Sequence, residues 1–279
     1  IVIYASAIQR KDPGTYLTDA LSDTNPLLKA RALRAAGELG RRDLLSYIKV
    51  LVSEEDKICR FFAVWSACLL GDVDTISTLK SFTHSDFPYR EEAVKMVMRR
   101  MDISSALGWQ KELSQNLDTI RLAQIGAGVI GDPLLIPWLI EQMSVPEHAR
   151  VAGESFTMTT GVDIAYEDLE RDWPEGFEAG PTEEPEDEAV EMDPDEDLPW
   201  PESELIKTWW DKNKSQFKNG NRYLLGKHIS AEHLQHVLRT SFQRQRAAAA
   251  LELAILQSGK PLFEIRAPGF RQQKLLGLK

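Results

Sequence analysis

Hydrophobic positions along this chain recur in blocks with helical spacing. Leu33-Arg34-Ala35-Ala36-Gly37-Glu38-Leu39-Gly40 sets the texture, which returns in 63–71, 93–101, 122–131 and 152–161. The blocks close at positions 40, 71, 101, 131 and 161, with spacings of 31, 30, 30 and 30. Four of these positions are glycine, which supplies the left-handed residue that ends a helix; the third is Met101. Asp72, Asp102 and Asp132 follow directly and are good helix N-caps. The stretch after each block is amphipathic, with Leu44, Leu45, Ile48 and Leu51 in one copy and Leu134, Leu135, Trp138 and Leu139 in another. A basic residue stands eleven positions before the close in four copies (Lys29, Arg60, Arg90, Arg150), and Arg121 falls one place late. Each unit therefore reads as two helices. One such pair cannot hide its apolar face, so neighbours must stack into a continuous core. Residues 1–24 fit a truncated opening unit, with Tyr16, Leu17 and Leu21 on its second helix.

The pattern returns in altered form near the other end. Segments 202–213 and 231–240 read as helices, and 245–256 has the strongest helix propensity in the chain, closed by Ser258-Gly259. Pro268-Gly269 breaks the chain before a basic stretch, Arg271-Gln272-Gln273-Lys274. What lies between 162 and 205 then reads as an insertion among repeat units.

Charge sharpens that reading. The 279 residues carry 33 basic and 43 acidic side chains, a net charge of −10. Residues 163–204 alone hold 19 acids against one base, Arg171, which leaves the rest at +8. Six of the fourteen prolines are there: Pro174, Pro181, Pro185, Pro194, Pro199 and Pro201. Runs such as Glu183-Glu184-Pro185-Glu186-Asp187-Glu188 cannot bury enough apolar surface to fold alone. The expected organisation is a repeat array at 1–162, an acidic Pro-rich insertion at 163–204 (extended or disordered over about 178–197) and an aromatic–basic segment with further helices at 205–279. No apolar run reaches the ~18–20 residues of a membrane span, so no membrane contact is expected. Cys59 and Cys68 are too few for a disulfide framework and read as buried thiols. The chain opens Ile1-Val2-Ile3 without methionine, as expected of a trimmed chain.

Candidate chemistry is sparse. Trp200, Trp209, Trp210, Phe217 and Tyr223 fall close together among Lys207, Lys212, Lys214, Lys218, Arg222 and Lys227. Aromatic rings beside cations suit a protein-recognition patch, and Trp200, Trp209, Trp210, Phe217, Arg222 and Tyr223 are its expected partner-binding residues. Alternatively, the same rings dock the returning chain. Nucleic acid is not expected, because the adjacent acidic strap repels phosphate. That strap has readings of its own: a cover for the basic body, a bait for a basic partner, or a solvated spacer. His233 and His236 share a helix face near His228, but a metal site needs further ligands; no metal, cofactor or catalytic residue is expected. Gly126-Ala127-Gly128-Val129-Ile130-Gly131 follows no strand and lies inside a repeat, which excludes a dinucleotide loop. The recurrent arginines read as bridges between units before they read as a basic groove.

These units resemble HEAT-type repeats: a basic residue, an alanine-rich helix, Leu-Gly, Asp-Pro, then an amphipathic helix. The resemblance is good over 25–161, looser over 231–260, and closest from Arg121 to Leu139. It implies an all-α fold, a right-handed α-solenoid of HEAT-like helical hairpins with an acidic insertion. More narrowly, Gly153-Glu154-Ser155-Phe156, Leu198-Pro199-Trp200-Pro201, Trp209-Trp210, Gly220–Gly226 and Arg244–Ala248 are similar to bacterial HEAT-repeat proteins found with type VI secretion gene clusters. That resemblance implies a cytoplasmic, non-catalytic adaptor with protein partners, among them secretion-system components. The alternative is an enzyme on a HEAT scaffold, bilin-lyase-like or DNA-glycosylase-like.

Overall fold

The computed structural model describes residues 2–83, 87–180 and 192–278, and they are mostly α-helical. The chain forms two compact units: Ile1–Asp102 with Ile229–Lys279, and Ile103–His228. The first begins with α1 (Val2–Gln9), α2 (Thr15–Leu21), α3 (Pro26–Glu38), α4 (Leu45–Val50), α5 (Lys57–Leu69), α6 (Ile76–Ser81) and α7 (Arg90–Arg100). Local signals start these helices. The Asn25 side chain accepts from the N–H groups of Leu27 and Leu28, with Pro26 in the first turn of α3, and Asp56 accepts from Cys59 N–H at the start of α5. Alternate long and short helices give the hairpins. Leu17 and Leu21 of α2 are fully buried, as are Leu33 of α3, Phe61 and Val64 of α5 and Leu79 of α6.

Small residues set how closely the long helices approach. A Cβ on Gly37 would lie 2.5 Å from Ser66 Oγ, and that hydroxyl donates to Leu33 O at 2.7 Å. The device recurs in the second unit, where a Cβ on Gly128 would lie 2.9 Å from Ser155 Cα and Ser155 Oγ donates to Gln124 O at 2.8 Å. In both cases a glycine notch admits a serine of the next long helix, which bonds to a carbonyl one turn before the glycine. The second unit comprises α8 (Ile103–Leu113), α9 (Ile120–Ile130), α10 (Ile136–Gln142), α11 (Pro146–Thr160), α12 (Ser203–Asn213) and a short hairpin of β1 (Tyr223–Leu224) and β2 (Lys227–His228). The strands pair antiparallel, Tyr223 with His228 and Leu224 with Lys227. Leu225 and Gly226 both take positive φ, 49° and 76°, which suits a tight two-residue turn.

The chain then completes its first unit with α13 (Ala231–Thr240), α14 (Gln243–Leu256) and α15 (Gly269–Leu275). Arg99 of α7 and Glu252 of α14 form an ion pair of 3.1 Å with both side chains 4% exposed. Arg10, at φ 51°, donates to Leu262 O at 2.5 Å and pairs with Glu38 and Glu264, each at 3.2 Å. The compact units therefore cut the chain at 102 and 228, whereas composition suggested 162 and 205. Long-range bonds of this kind have no compositional signature. The fold is all-α and solenoid-like, built from helical hairpins whose long helices pack on their neighbours. No helix among the described residues is long and apolar enough to cross a membrane.

Candidate functional site

The corners of the repeats carry much of the structure's chemistry. Gly40, Gly71, Gly131 and Gly161 close their helices with φ of 69°, 107°, 65° and 79°. Met101, the exception, is extended at φ −78°. A helix end leaves carbonyls without partners, and here later segments of the chain supply donors. In the second unit, Tyr223 N–H donates to Gly131 O at 2.9 Å, Leu225 N–H to Met158 O at 2.7 Å and Gly226 N–H to Thr159 O at 3.0 Å. Arg222 donates to Ile130 O and Val129 O, and Gly220 N–H to the carboxylate of Asp132. In the first unit, Leu262 N–H donates to Glu38 O and Ser258 Oγ to Leu70 O, both at 2.8 Å. A Cβ on Gly40 would lie 2.6 Å from Gly259 O. Each unit is thus clasped by its own later segment across two glycine corners.

This places the six aromatic–basic residues singled out from sequence. Trp200, Trp210 and Tyr223 are buried, and Trp209 and Phe217 are half-buried. Trp209 meets Phe156 edge-on at 5.7 Å, and Phe217 lies between Trp210 (5.4 Å) and Tyr223 (5.3 Å). Tyr223 Oη accepts from Lys218 N–H. Arg222 caps a helix end. Trp209, Trp210, Phe217, Arg222 and Tyr223 are brought together, and Trp200 stands in a separate ring cluster with Trp173 and Phe177. These contacts pack the rings against the chain itself and leave Trp209, Phe217 and Arg222 partly exposed.

The cluster around Trp200 pins the acidic insertion. Arg150 of α11, 95% buried at the side chain, pairs with Asp193 at 2.5 Å and donates to Asp195 O at 3.0 Å. Its guanidinium lies 4.6 Å from the Trp200 ring centre, 5.3 Å from Trp173 and 5.9 Å from Phe177. Arg121 grips both oxygens of Asp195, at 2.5 and 3.0 Å. Burial alone would raise the Asp193 carboxyl, but the Asp195 N–H and the Arg150 guanidinium outweigh it and hold it below the ordinary carboxylate range. The expectation of an extended or disordered stretch over 178–197 is corrected in part: 192–197 is a turn fixed by two arginines. Residues 181–191 of that stretch lie outside the described residues. Gly153 leaves room for the insertion, since its Cβ would sit 3.2 Å from both Ile164 and Pro201.

The recurrent cations act as bridges. Lys29 pairs with Glu54 at 2.9 Å and Arg60 donates to Glu54 O, while Arg121 and Arg150 hold the insertion. Conventional reactive groups are quiet. Burial pushes the thiols of Cys59 and Cys68 up to about 11, which favours the protonated thiol at neutral pH. Among the described residues no group of three or more His, Cys, Asp or Glu could hold a metal ion.

Among the side chains the described hairpins leave exposed in the first unit are several on or beside its short helices. Tyr16 of α2 is 66% exposed, Tyr47 and Val50 of α4 43% and 72%, and Val73, just before α6, 58%. The Tyr47 hydroxyl lies 2.8 Å from Ser22 Oγ at the end of α2. Lys49 reaches Asp72 at 2.6 Å and Asp74 at 3.1 Å, either side of Val73. These contacts tie the end of α2 to α4, and α4 to the chain either side of Val73. The sequence marks the inward Leu17, Ile48 and Leu79 by their spacing; nothing in spacing marks an outward tyrosine or valine.

Helical hairpins repeated about every thirty residues, with glycine corners and capped short helices, define a helical-repeat protein. Residues 15–99 match the model of the family described as HEAT repeats, so the repeats of that stretch are HEAT repeats. Neither a curated protein nor a solved structure matches the chain.

Proposed function

We propose that this chain is a non-catalytic scaffold that binds another protein through the short-helix face of its first unit. The proposal extends to an adaptor role in the bacterial cytoplasm, beside a type VI secretion machinery. One observation carries the protein-binding reading: Tyr16, Tyr47, Val50 and Val73, on or beside successive short helices, are all exposed within the HEAT-repeat stretch. Exposed aromatic and apolar side chains on a rigid layer of helices suit a protein interface. The corners are already occupied by the chain itself, and Trp200, Trp210 and Tyr223 of the aromatic segment are buried. The narrower role rests on the resemblance of the Gly153–Phe156, Leu198–Pro201 and Gly220–Gly226 segments to secretion-associated proteins. Affinity capture from a bacterium with an active type VI apparatus tests both parts. Wild-type chain is expected to retain a protein of that apparatus, and Tyr47→Glu with Val50→Glu to lose it while keeping its helical circular dichroism. Equal capture by both chains, or turnover of a small molecule by purified protein, contradicts the proposal.

A further inference from the structure

Among the described residues, nearly every buried charge at the base of the insertion has a partner, and one does not. Glu170 and Pro201 form an antiparallel bridge, flanked by Arg171 N–H to Trp200 O and Glu202 N–H to Leu169 O, both 2.8 Å. In that register Arg171 stands opposite Trp200, and side chains directly opposite leave a pair of strands on the same face. Trp200 is 6% exposed, yet its indole Nε1–H has no hydrogen-bond partner. Two nitrogens of the guanidinium of Arg171, Nε and Nη2, are buried and also have none among the described residues. Nε and Nη2 share one edge of the group, with their N–H bonds roughly parallel. That edge is the one that grips two oxygens of a carboxylate or a phosphate.

The acids nearby do not fill it. Side chains alternate along an extended segment, so Glu170 and Asp172 leave on the opposite face. The Glu202 carboxylate accepts from Glu204 N–H at the start of α12. Asp193 and Asp195 are held by Arg150 and Arg121. Arg150, paired with Asp193, lies over the Trp200 ring and holds its face. A buried guanidinium edge without a counter-charge is costly, and buried donors are otherwise almost always satisfied. Arg171 as a whole is half-buried, so part of the residue reaches solvent.

We propose that the Arg171 guanidinium edge and the Trp200 indole N–H form a binding site for one oxyanion group, a carboxylate or a phosphate. The site belongs to the second unit and is independent of the protein-binding face. Titrating the full chain with sodium phosphate and, separately, sodium acetate in chloride buffer tests it, read by the indole N–H resonances in nitrogen–proton spectra. Trp200→Phe assigns the resonance. A saturable shift of Trp200 with phosphate alone assigns a phosphate site, and one with acetate a carboxylate site. Arg171→Met is expected to abolish the shift, and Arg171→Lys, which keeps the charge but loses the edge, to weaken binding about tenfold or more. In chloride buffer Arg171→Met is expected to melt at the same temperature as wild type or higher, because an uncompensated buried charge has gone. No saturable shift with either salt, a shift that persists in Arg171→Met, or a lower melting temperature for that variant in chloride overturns the proposal.

Discussion

At Gly131 the backbone turns through φ 65°, and an added methyl group would lie 2.1 Å from the Tyr223 carbonyl oxygen. Left-handed strain costs about 1–2 kcal/mol for a side-chain-bearing residue. Gly131→Ala must also push the β1 segment off the corner, and is expected to lose clearly more than that in urea unfolding; a loss of only about 1–2 kcal/mol would mean that the corner gives way freely. The buried Arg99–Glu252 pair makes a second residue-scale case. Glu252→Ala strands a buried guanidinium and is expected to cost about 3–5 kcal/mol; a loss below about 1 kcal/mol, the ceiling for an exposed pair, would show that the pair is solvated. The corner glycines were legible because their spacing and chemistry are local. Their partners were not: Tyr223 sits far along the chain from Gly131, and no periodicity links them.

Among the elements, the acidic insertion departs furthest from its composition. Its charge density forbids autonomous folding, yet a few contacts to α9 and α11 suffice to fix 192–197. Composition reports what a segment can do alone, and cannot see that Arg121 and Arg150 stand at repeat positions that face it. The Asp193 carboxyl titrates below its ordinary value of 3.8, so its contribution is complete above the ordinary range and lost as pH falls through the lowered value. The groups facing it are Arg150, Arg121 and Asp195. Fluorescence of the Trp173–Trp200 cluster is therefore expected to hold steady at neutral pH and change only below about pH 4. Asp193→Asn should already show the altered signal at pH 7. A change centred near pH 6 would point to histidine and contradict the assignment. The aromatic segment teaches a related lesson: sequence located the rings of Trp209, Trp210 and Phe217, but whether a ring faces solvent or a neighbour is decided by where the chain returns.

For the whole molecule, the first unit is discontinuous: Glu252, Leu262 and Glu264 are all made after the second unit. A chain ending at residue 228 is expected to lose the cooperative unfolding of α1–α7 while α8–α12 keep theirs; unchanged protection of α3 and α5 in hydrogen exchange would show the later segment to be dispensable. The repeat cadence revealed fold class and hairpin content, since stacking needs periodic apolar faces. It could not reveal discontinuity, which lives in single long-range bonds such as Arg10 to Leu262.

The central claim is that self-clasped corners leave the short-helix face of the first unit as the protein-binding surface. Site-specific photocrosslinking in bacteria tests it most directly, with a benzophenone side chain placed at Tyr47 in one chain and at Trp209 in another. A discrete protein adduct from Tyr47 and none from Trp209 is the predicted result; an adduct from Trp209 with none from Tyr47 would contradict it.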